Sequence, residues 1–217
     1  MNEFSPLPEY LVARYQDWKT GLFLEKQEKH ARLAAEGQHP KVMVISCCDS
    51  RVHVTSIFGA ETGEFFIHRN VANMVPPFVE DDAHHGTSAA IEFAVTALKV
   101  EHLVVLGHSQ CGGVKHCHDT CHGNIHVTKK GFVDRWIDIL RPGYERVRHI
   151  EDDATRVTAL EHTGVVIAME NLLGFPFVKE AVDAGKLSLH GLWHSIGDGV
   201  LMGYDSETKS FQPVGDV

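Results

Sequence analysis

The chain has 217 residues, of which 43% are hydrophobic and 23% charged, and this composition is typical of one globular domain spanning residues 1–217. Its formal net charge of -9 would repel nucleic-acid phosphates, so we expect no nucleic-acid partner. No stretch approaches the roughly 20 apolar residues that a membrane span needs, so we expect no membrane partner either. Residues 1–8 lack a signal-peptide pattern and the cysteines number five, an odd count, which predicts a cytoplasmic protein without a disulfide framework.

The first 38 residues form a separate segment in which apolar positions alternate with charges. This pattern predicts one or two amphipathic helices, and the segment has little apolar content with which to build a core of its own. We therefore expect an N-terminal helical arm, residues 1–38, that packs either on the body of the domain or on a partner subunit.

Buried strands alternate with a helix in the next part of the chain. Continuous apolar runs at residues 42–46 and 102–107, and a shorter one at 64–68, predict strands. Residues 86–99 place Ala90, Ile91, Ala94, Val95 and Leu98 at helical spacing. This alternation predicts an α/β fold with parallel strands.

The C-terminal half is predicted to contain surface helices, then two further helices and finally two strands, over residues 120–162, 165–173, 175–184, 187–193 and 200–204. Pro142-Gly143 is expected to break the first of these regions. The joint at residues 196–199 is short enough for an antiparallel hairpin. The predicted fold is a mostly parallel central sheet of about four strands plus an antiparallel edge strand, flanked by helices.

Three soft metal ligands follow two of the predicted parallel strands. Cys47 closes the first strand, and His108 and Cys111 come after the third. Because parallel strands end at one edge of a sheet, these side chains are expected to meet there. Thiolate and imidazole select zinc, and three protein donors leave a fourth position open, which is typical of a catalytic site.

These residues stand in motifs that resemble the β-carbonic anhydrases: Cys-x-Asp-Ser-Arg at residues 47–51 and His-x-x-Cys-Gly-Gly at 108–113, with further matches at 68–73 and 86–92. The resemblance implies one Zn²⁺ per chain, held by Cys47, His108 and Cys111. It also implies reversible hydration of carbon dioxide to bicarbonate by zinc-bound hydroxide, which Asp49 orients while Arg51 keeps Asp49 ionised.

The same resemblance implies a substrate pocket lined by Gln38, Phe66, Phe93 and Gly112. Phe93 departs from the Tyr of the plant-type enzymes, which puts a polar contact at that point in doubt. In the family the lining residues come from the neighbouring subunit, so we expect a homodimer or a higher even oligomer, with the arm packed on the partner.

A second branch of the family can swing the Asp onto zinc, with bicarbonate lodged beside a Trp three residues before the first Cys. Here Val44 occupies that position, although Arg69, which helps hold the bicarbonate in that branch, is present. Val44 and Gln38 together favour the open, water-bound form.

Three alternatives remain open from sequence. Residues 116–126 hold four histidines and two cysteines and are a candidate second metal cluster, although a solvated His-rich helix or loop is commoner. Relatives with the same zinc constellation hydrolyse carbonyl sulfide or carbon disulfide. A non-catalytic zinc-binding or zinc-buffering module is a further hypothesis, against which the Asp49-Arg51 pair argues.

Overall fold

The structure, a computed structural model, describes residues 4–81, 83, 85–128 and 131–215. The chain divides into two units, Met1–His39 and Pro40–Val217. This boundary lies one residue beyond the end predicted for the N-terminal arm. No helix of the described residues combines the length and the apolar composition that crossing a membrane requires.

The N-terminal unit is helical, as predicted. Its helices are α1 (Glu9–Thr20), α2 (Leu22–Glu25) and α3 (Gln27–Glu36). Trp18 packs on Phe23 with 5.1 Å between ring centroids, and Phe23 stacks on His30 at 5.2 Å. These three helices contain no buried residue, and Tyr10, at the start of α1, is 60% exposed.

The larger unit is built on a six-stranded sheet in the order β2-β1-β3-β4-β5-β6. The strands are β1 (Val42–Cys47), β2 (Phe65–Asn70), β3 (His102–His108), β4 (Ser188–His194), β5 (Leu201–Asp205) and β6 (Ser210–Pro213). The first four are parallel and the last two antiparallel, so the mostly parallel sheet and its antiparallel hairpin are confirmed. The extra edge strand β6 was not predicted, because its four residues carry one apolar side chain and give no period.

The α-helices of the larger unit flank this sheet. In chain order they are α4 (Val54–Ile57), α5 (Gly86–Glu92), α6 (Gly112–His122), α7 (Phe132–Ile137), α8 (Arg141–Val147), α9 (Asp153–Leu172) and α10 (Pro176–Asp183). The helix predicted at 165–173 is the second half of α9, which begins earlier because Asp152 caps it, accepting the Thr155 N–H at 2.8 Å. Pro142 does not break a helix. It lies in the first turn of α8, where a missing N–H costs no hydrogen bond.

The main core lies between one face of the sheet and the helices α5, α9 and α10. Met43 and Ile45 of β1 and Leu103 and Val105 of β3 are fully buried against α9 and α10. Side chains of a strand alternate between faces, so Val44 points to the opposite side. There an open groove of about 290 Å³ is lined by apolar residues that include Val44, Val104 and Leu192.

Candidate metal centre

The three predicted ligands meet at the carboxyl edge of the parallel strands. Cys47 is the last residue of β1, His108 is the last residue of β3, and Cys111 is the N-cap of α6. Their ligand atoms all lie within 4.8 Å of one another, and the two Sγ atoms are 4.0 Å apart. All three residues are buried. The predicted cluster is therefore formed by a single chain.

His108 has one ring nitrogen committed and one available. Nδ1 lies 2.9 Å from the carbonyl oxygen of Ser109. Because a carbonyl can only accept, Nδ1 carries the proton and Nε2 keeps its lone pair. Nε2 is buried and has no hydrogen-bond partner among the described residues. An imidazole oriented in this way beside two thiols fits a metal ion such as zinc.

The two thiols are electrostatically linked. The S–H of Cys111 bonds to the sulfur of Cys47 and lowers the pKa of Cys47, against the opposing effect of burial, and the backbone N–H of Asp49 adds to this at 3.4 Å. The same contact, together with burial, raises the pKa of Cys111. The pair thus holds on to one proton, which a soft cation would displace on binding both sulfurs.

Asp49 and Arg51 form a bidentate ion pair beside the cluster. Arg51 donates from Nε to Oδ1 at 2.9 Å and from Nη2 to Oδ2 at 2.8 Å, and its backbone N–H adds a bond to Oδ1 at 3.0 Å. The guanidinium holds the pKa of the Asp49 carboxyl well below its usual range. Asp49 is therefore a carboxylate across the neutral pH range.

Arg69 fixes the backbone of the loop that carries this pair. Its Nε donates to the carbonyl of Cys47 at 2.9 Å, and its Nη2 donates to those of Asp49 and Val52 at 2.8 and 2.7 Å. The sequence motif gave Arg69 no such role. These bonds hold the backbone around Cys47 and the loop that carries Asp49 and Arg51.

Glu161 of α9 supports the third ligand and was not predicted. Its Oε1 accepts the backbone N–H of Cys111 at 3.1 Å, and its Oε2 accepts Nε1–H of Trp193 at 3.2 Å. Burial raises the pKa of Glu161. A signal was available, because Glu161 precedes Val165 and Ala168 at helical spacing and so lies on the buried stripe of α9.

A tight contact sets the position of α6. A Cβ at Gly113 would lie 2.9 Å from Cβ of Ala72 and 3.1 Å from Cδ1 of Ile137, so glycine is needed for the approach. A Cβ at Gly112 would have no atom within 4 Å and would face open space. Gln110 reaches Cys111 through a left-handed conformation with φ of 57°.

Of the predicted pocket residues, Phe66 and Phe93 lie together, away from the cluster of their own chain. Phe66 packs on Phe93 with 5.8 Å between centroids. Phe66 pairs with Met43, four residues before Cys47 in the strand, which places it about 13 Å from the ligand edge. Gln38 lies in the N-terminal unit, after α3. Gly112 adjoins the ligand Cys111.

The His-rich part of α6 uses its rings in packing. His118 Nε2 accepts from Nε of Arg156 at 3.0 Å, and His122 Nδ1 lies 3.0 Å from the hydroxyl of Tyr144. Within the described ranges, Cys47, His108 and Cys111 are the one group of three or more metal-ligating side chains. The structure therefore forms no three-ligand site between residues 116 and 126.

Comparisons with known proteins agree with one another. A family model described as "Carbonic anhydrase" matches residues 42–201. The curated "Beta carbonic anhydrase 3" of Arabidopsis thaliana is 34% identical over 205 residues, which cover 93% of this chain and 78% of that protein. The solved structure of the β-carbonic anhydrase CcaA matches with a TM-score of 0.86 at 27% identity, covering 96% of this chain and 92% of that one. A tetrameric β-carbonic anhydrase from the filamentous ascomycete Sordaria macrospora matches with a TM-score of 0.75 at 29% identity, covering 96% of each chain.

Proposed function

The chain belongs to the β-carbonic anhydrase family, whose members are lyases, and we propose that it hydrates carbon dioxide to bicarbonate with one zinc ion per chain. The observation that carries the proposal is the buried group of Cys47, His108 and Cys111 with a carboxylate, Asp49, fixed next to it. The carbonyl sulfide and carbon disulfide alternative has no support from the relatives, which are described as carbonic anhydrases.

The donor set suits zinc. Cys47, Cys111 and His108 would hold the ion through two thiolate sulfurs and one imidazole nitrogen, a three-donor set typical of catalytic zinc. Held by these residues, a zinc ion would supply Lewis-acid acidification of water, so that hydroxide would be available near neutral pH. Because two thiolates cancel the charge of the ion, this acidification is weaker than with three neutral imidazoles, and we expect activity to increase towards alkaline pH.

Asp49 supplies the oriented acceptor for the reaction. Its carboxylate can accept a hydrogen bond from the attacking oxygen and so aim the lone pair of that oxygen at the carbon of CO2. Arg51 keeps Asp49 ionised and holds both of its oxygens in place. Arg69 and Glu161 act through the backbone, since they hold the loops that carry Asp49 and Cys111.

The substrate pocket is proposed to need a second copy of the chain. Phe66 is too far along the sheet to line the cluster of its own chain, and Phe93 packs on Phe66. Gln38 belongs to the N-terminal unit, and Gly112 lies beside Cys111. The exposed apolar side chains of that unit and the apolar groove on the sheet offer surfaces for a partner. A homodimer or a higher even oligomer follows, and the Sordaria relative is described as tetrameric.

The direct test is stopped-flow CO2 hydration on the purified protein, before and after zinc is removed with a chelator. We expect activity to fall with the metal and to return when zinc is restored. Sulfide release from carbonyl sulfide and carbon disulfide is measured on the same sample. A protein that keeps its zinc but hydrates no CO2 would favour the non-catalytic zinc-binding module instead.

A cytoplasmic location is a separate proposal. It rests on the described cysteines, none of which is in a disulfide, as is usual in a reducing compartment. Cell fractionation with an antibody to the native protein tests it.

A further inference from the structure

A second pair of thiols lies on the inner face of α6. Cys117 and Cys121 are one helical turn apart, and their Sγ atoms are separated by 3.9 Å. The sulfurs of Cys47 and Cys111 are 4.0 Å apart. With a metal–sulfur bond of about 2.3 Å, two sulfurs on one ion lie at most about 4.6 Å apart, so both pairs can bind a single ion.

These two sulfurs line a small cavity between α6, α7 and the start of α8. Its volume is about 20 Å³, which is room for one particle the size of a water molecule or an ion. Thr120 also lines it, and Thr120 Oγ1 is buried without a hydrogen-bond partner in the part of the chain that the structure describes. Cys117 is 2% exposed, whereas Cys121 is partly exposed.

The charged side chains that line the cavity are already paired, Arg141 with Asp138 and His116 with Asp134, so ion binding there depends on the two thiols. Arg141 lines the cavity and is held by Asp138 at 2.8 Å. Its positive charge acts on both thiols, whereas burial raises the pKa of Cys117. Only an ion with a strong preference for sulfur would displace such a proton. His116 also lines the cavity, but its Nε2 is bound to Asp134 at 2.8 Å.

We propose that Cys117 and Cys121 form a second metal site, which binds one soft, thiophilic ion of the Cu(I) class through two thiolates. Zinc prefers four ligands, whereas Cu(I) is satisfied by two soft sulfur donors. Binding replaces the two thiol protons with one singly charged cation, and no electron is transferred. The complex carries one net negative charge, and the lining contains one guanidinium, Arg141, which is paired with Asp138. This site is separate from the zinc ligands, to which none of its residues belongs.

The test uses the reduced, zinc-loaded protein without oxygen. Cu(I) is supplied as its complex with a coloured chelator, and copper and zinc per chain are measured after desalting. We expect one copper per chain in the wild type with the zinc retained, and the same in Cys48→Ser, which removes an exposed thiol next to a zinc ligand. Cys117→Ser and Cys121→Ser should each weaken copper binding by at least about tenfold.

Cys117 is buried and its variant can fail to fold, so Cys121→Ser, at the more exposed position, carries the result in that case. As a second measurement, phenylarsine oxide joins two adjacent thiols and releases one water. Intact mass should show one such adduct in the zinc-loaded wild type and none in Cys121→Ser. Copper uptake that is unchanged in Cys121→Ser, or that releases one zinc for each copper bound, would overturn the proposal.

Discussion

Arg51 and Gln110 join the loops that follow β1 and β3. Nη2 of Arg51 donates to the carbonyl oxygen of Gln110 at 3.0 Å, and the same nitrogen donates to Oδ2 of Asp49 at 2.8 Å. Gln110 immediately precedes Cys111, and Asp49 follows Cys47 by two residues. One guanidinium therefore fixes the carboxylate and the approach to Cys111 in a single hydrogen-bonded unit.

This arrangement predicts that Asp49→Asn keeps its metal and loses most of its turnover. The amide oxygen can still accept from Arg51, so the loop should stay in place, but no anionic acceptor remains for the attacking oxygen. We expect kcat for CO2 hydration to fall roughly 10²-fold to 10⁴-fold, with one zinc per chain retained. Stopped-flow kinetics and metal analysis of the same sample measure both. Full activity in this variant would exclude the role given to Asp49.

The ligand cluster could be predicted from sequence because it depends on two local patterns. The buried runs before Cys47 and His108 identify parallel strands, and the ends of parallel strands share an edge. The positions of the strand ends alone therefore predict that these side chains meet.

The residues that support the cluster could not be predicted in the same way. Glu161 lies 50 residues from Cys111 in sequence and reaches it only through the packing of α9 on the sheet. Arg69 acts on backbone carbonyls, which carry no sequence signature. The position of Phe66 follows from strand register, and the proposed contribution of a second copy is a property of the assembly rather than of one chain.

The donor set predicts that each of Cys47, His108 and Cys111 is needed for metal binding. Removing one donor from a three-ligand site leaves two, so Ala at any of these positions should lower zinc below about 0.1 per chain and abolish activity. Cys48→Ala is the matched control, because Cys48 adjoins Cys47 but is exposed. Zinc content is measured by atomic emission after dialysis. Two zinc ions per wild-type chain would contradict a single zinc site.

Alanine substitutions at Gly112 and Gly113, at the start of α6, are expected to change the free energy of unfolding in opposite directions. A methyl group at Gly113 would overlap Ala72, and the helix would have to move away. We expect Gly113→Ala to lower the free energy of unfolding by about 1 to 3 kcal/mol and to weaken zinc binding. The methyl group of Gly112→Ala would contact no other atom, so this variant should raise the free energy of unfolding by about 0.5 kcal/mol. Urea unfolding of both variants measures the difference, and equal effects would show that the contact with Ala72 is unimportant.

His162 is expected to make stability depend on pH. Its ring stacks on Phe211 at 4.4 Å and meets Trp193 at 4.8 Å, and burial lowers the pKa of His162. The unfolded state then binds the proton more readily, so this contribution to stability is present above about pH 6.5 and is lost as the pH falls below it. His162→Phe should reduce the slope of unfolding free energy between pH 6.5 and 5 by up to about 1.4 kcal/mol per pH unit. An unchanged slope in urea unfolding would show that His162 does not titrate in this way.

The last prediction concerns inhibition by bicarbonate, and Val44 and Arg69 decide it. A ligand shifts a two-state equilibrium only as far as it prefers one state, so a closed form with Asp49 on the metal needs a pocket that holds bicarbonate. The side chain of Val44 is buried and has no N–H to donate. Arg69, the second residue of that pocket, has Nε and Nη2 bound to the carbonyls of Cys47, Asp49 and Val52. Neither side chain is placed to favour bicarbonate in a closed form.

We therefore expect bicarbonate to inhibit CO2 hydration weakly and with a Hill coefficient near one, and activity to rise smoothly with pH. A crystal grown at mildly acidic pH should show Asp49 still paired with Arg51, because three N–H groups of Arg51 hold both carboxylate oxygens. Initial rates over a bicarbonate series at several pH values give the Hill coefficient. Cooperative inhibition, or Asp49 bound to the metal in the crystal, would mean that Val44 does not prevent closure and that Arg69 exchanges its three carbonyl partners for the anion.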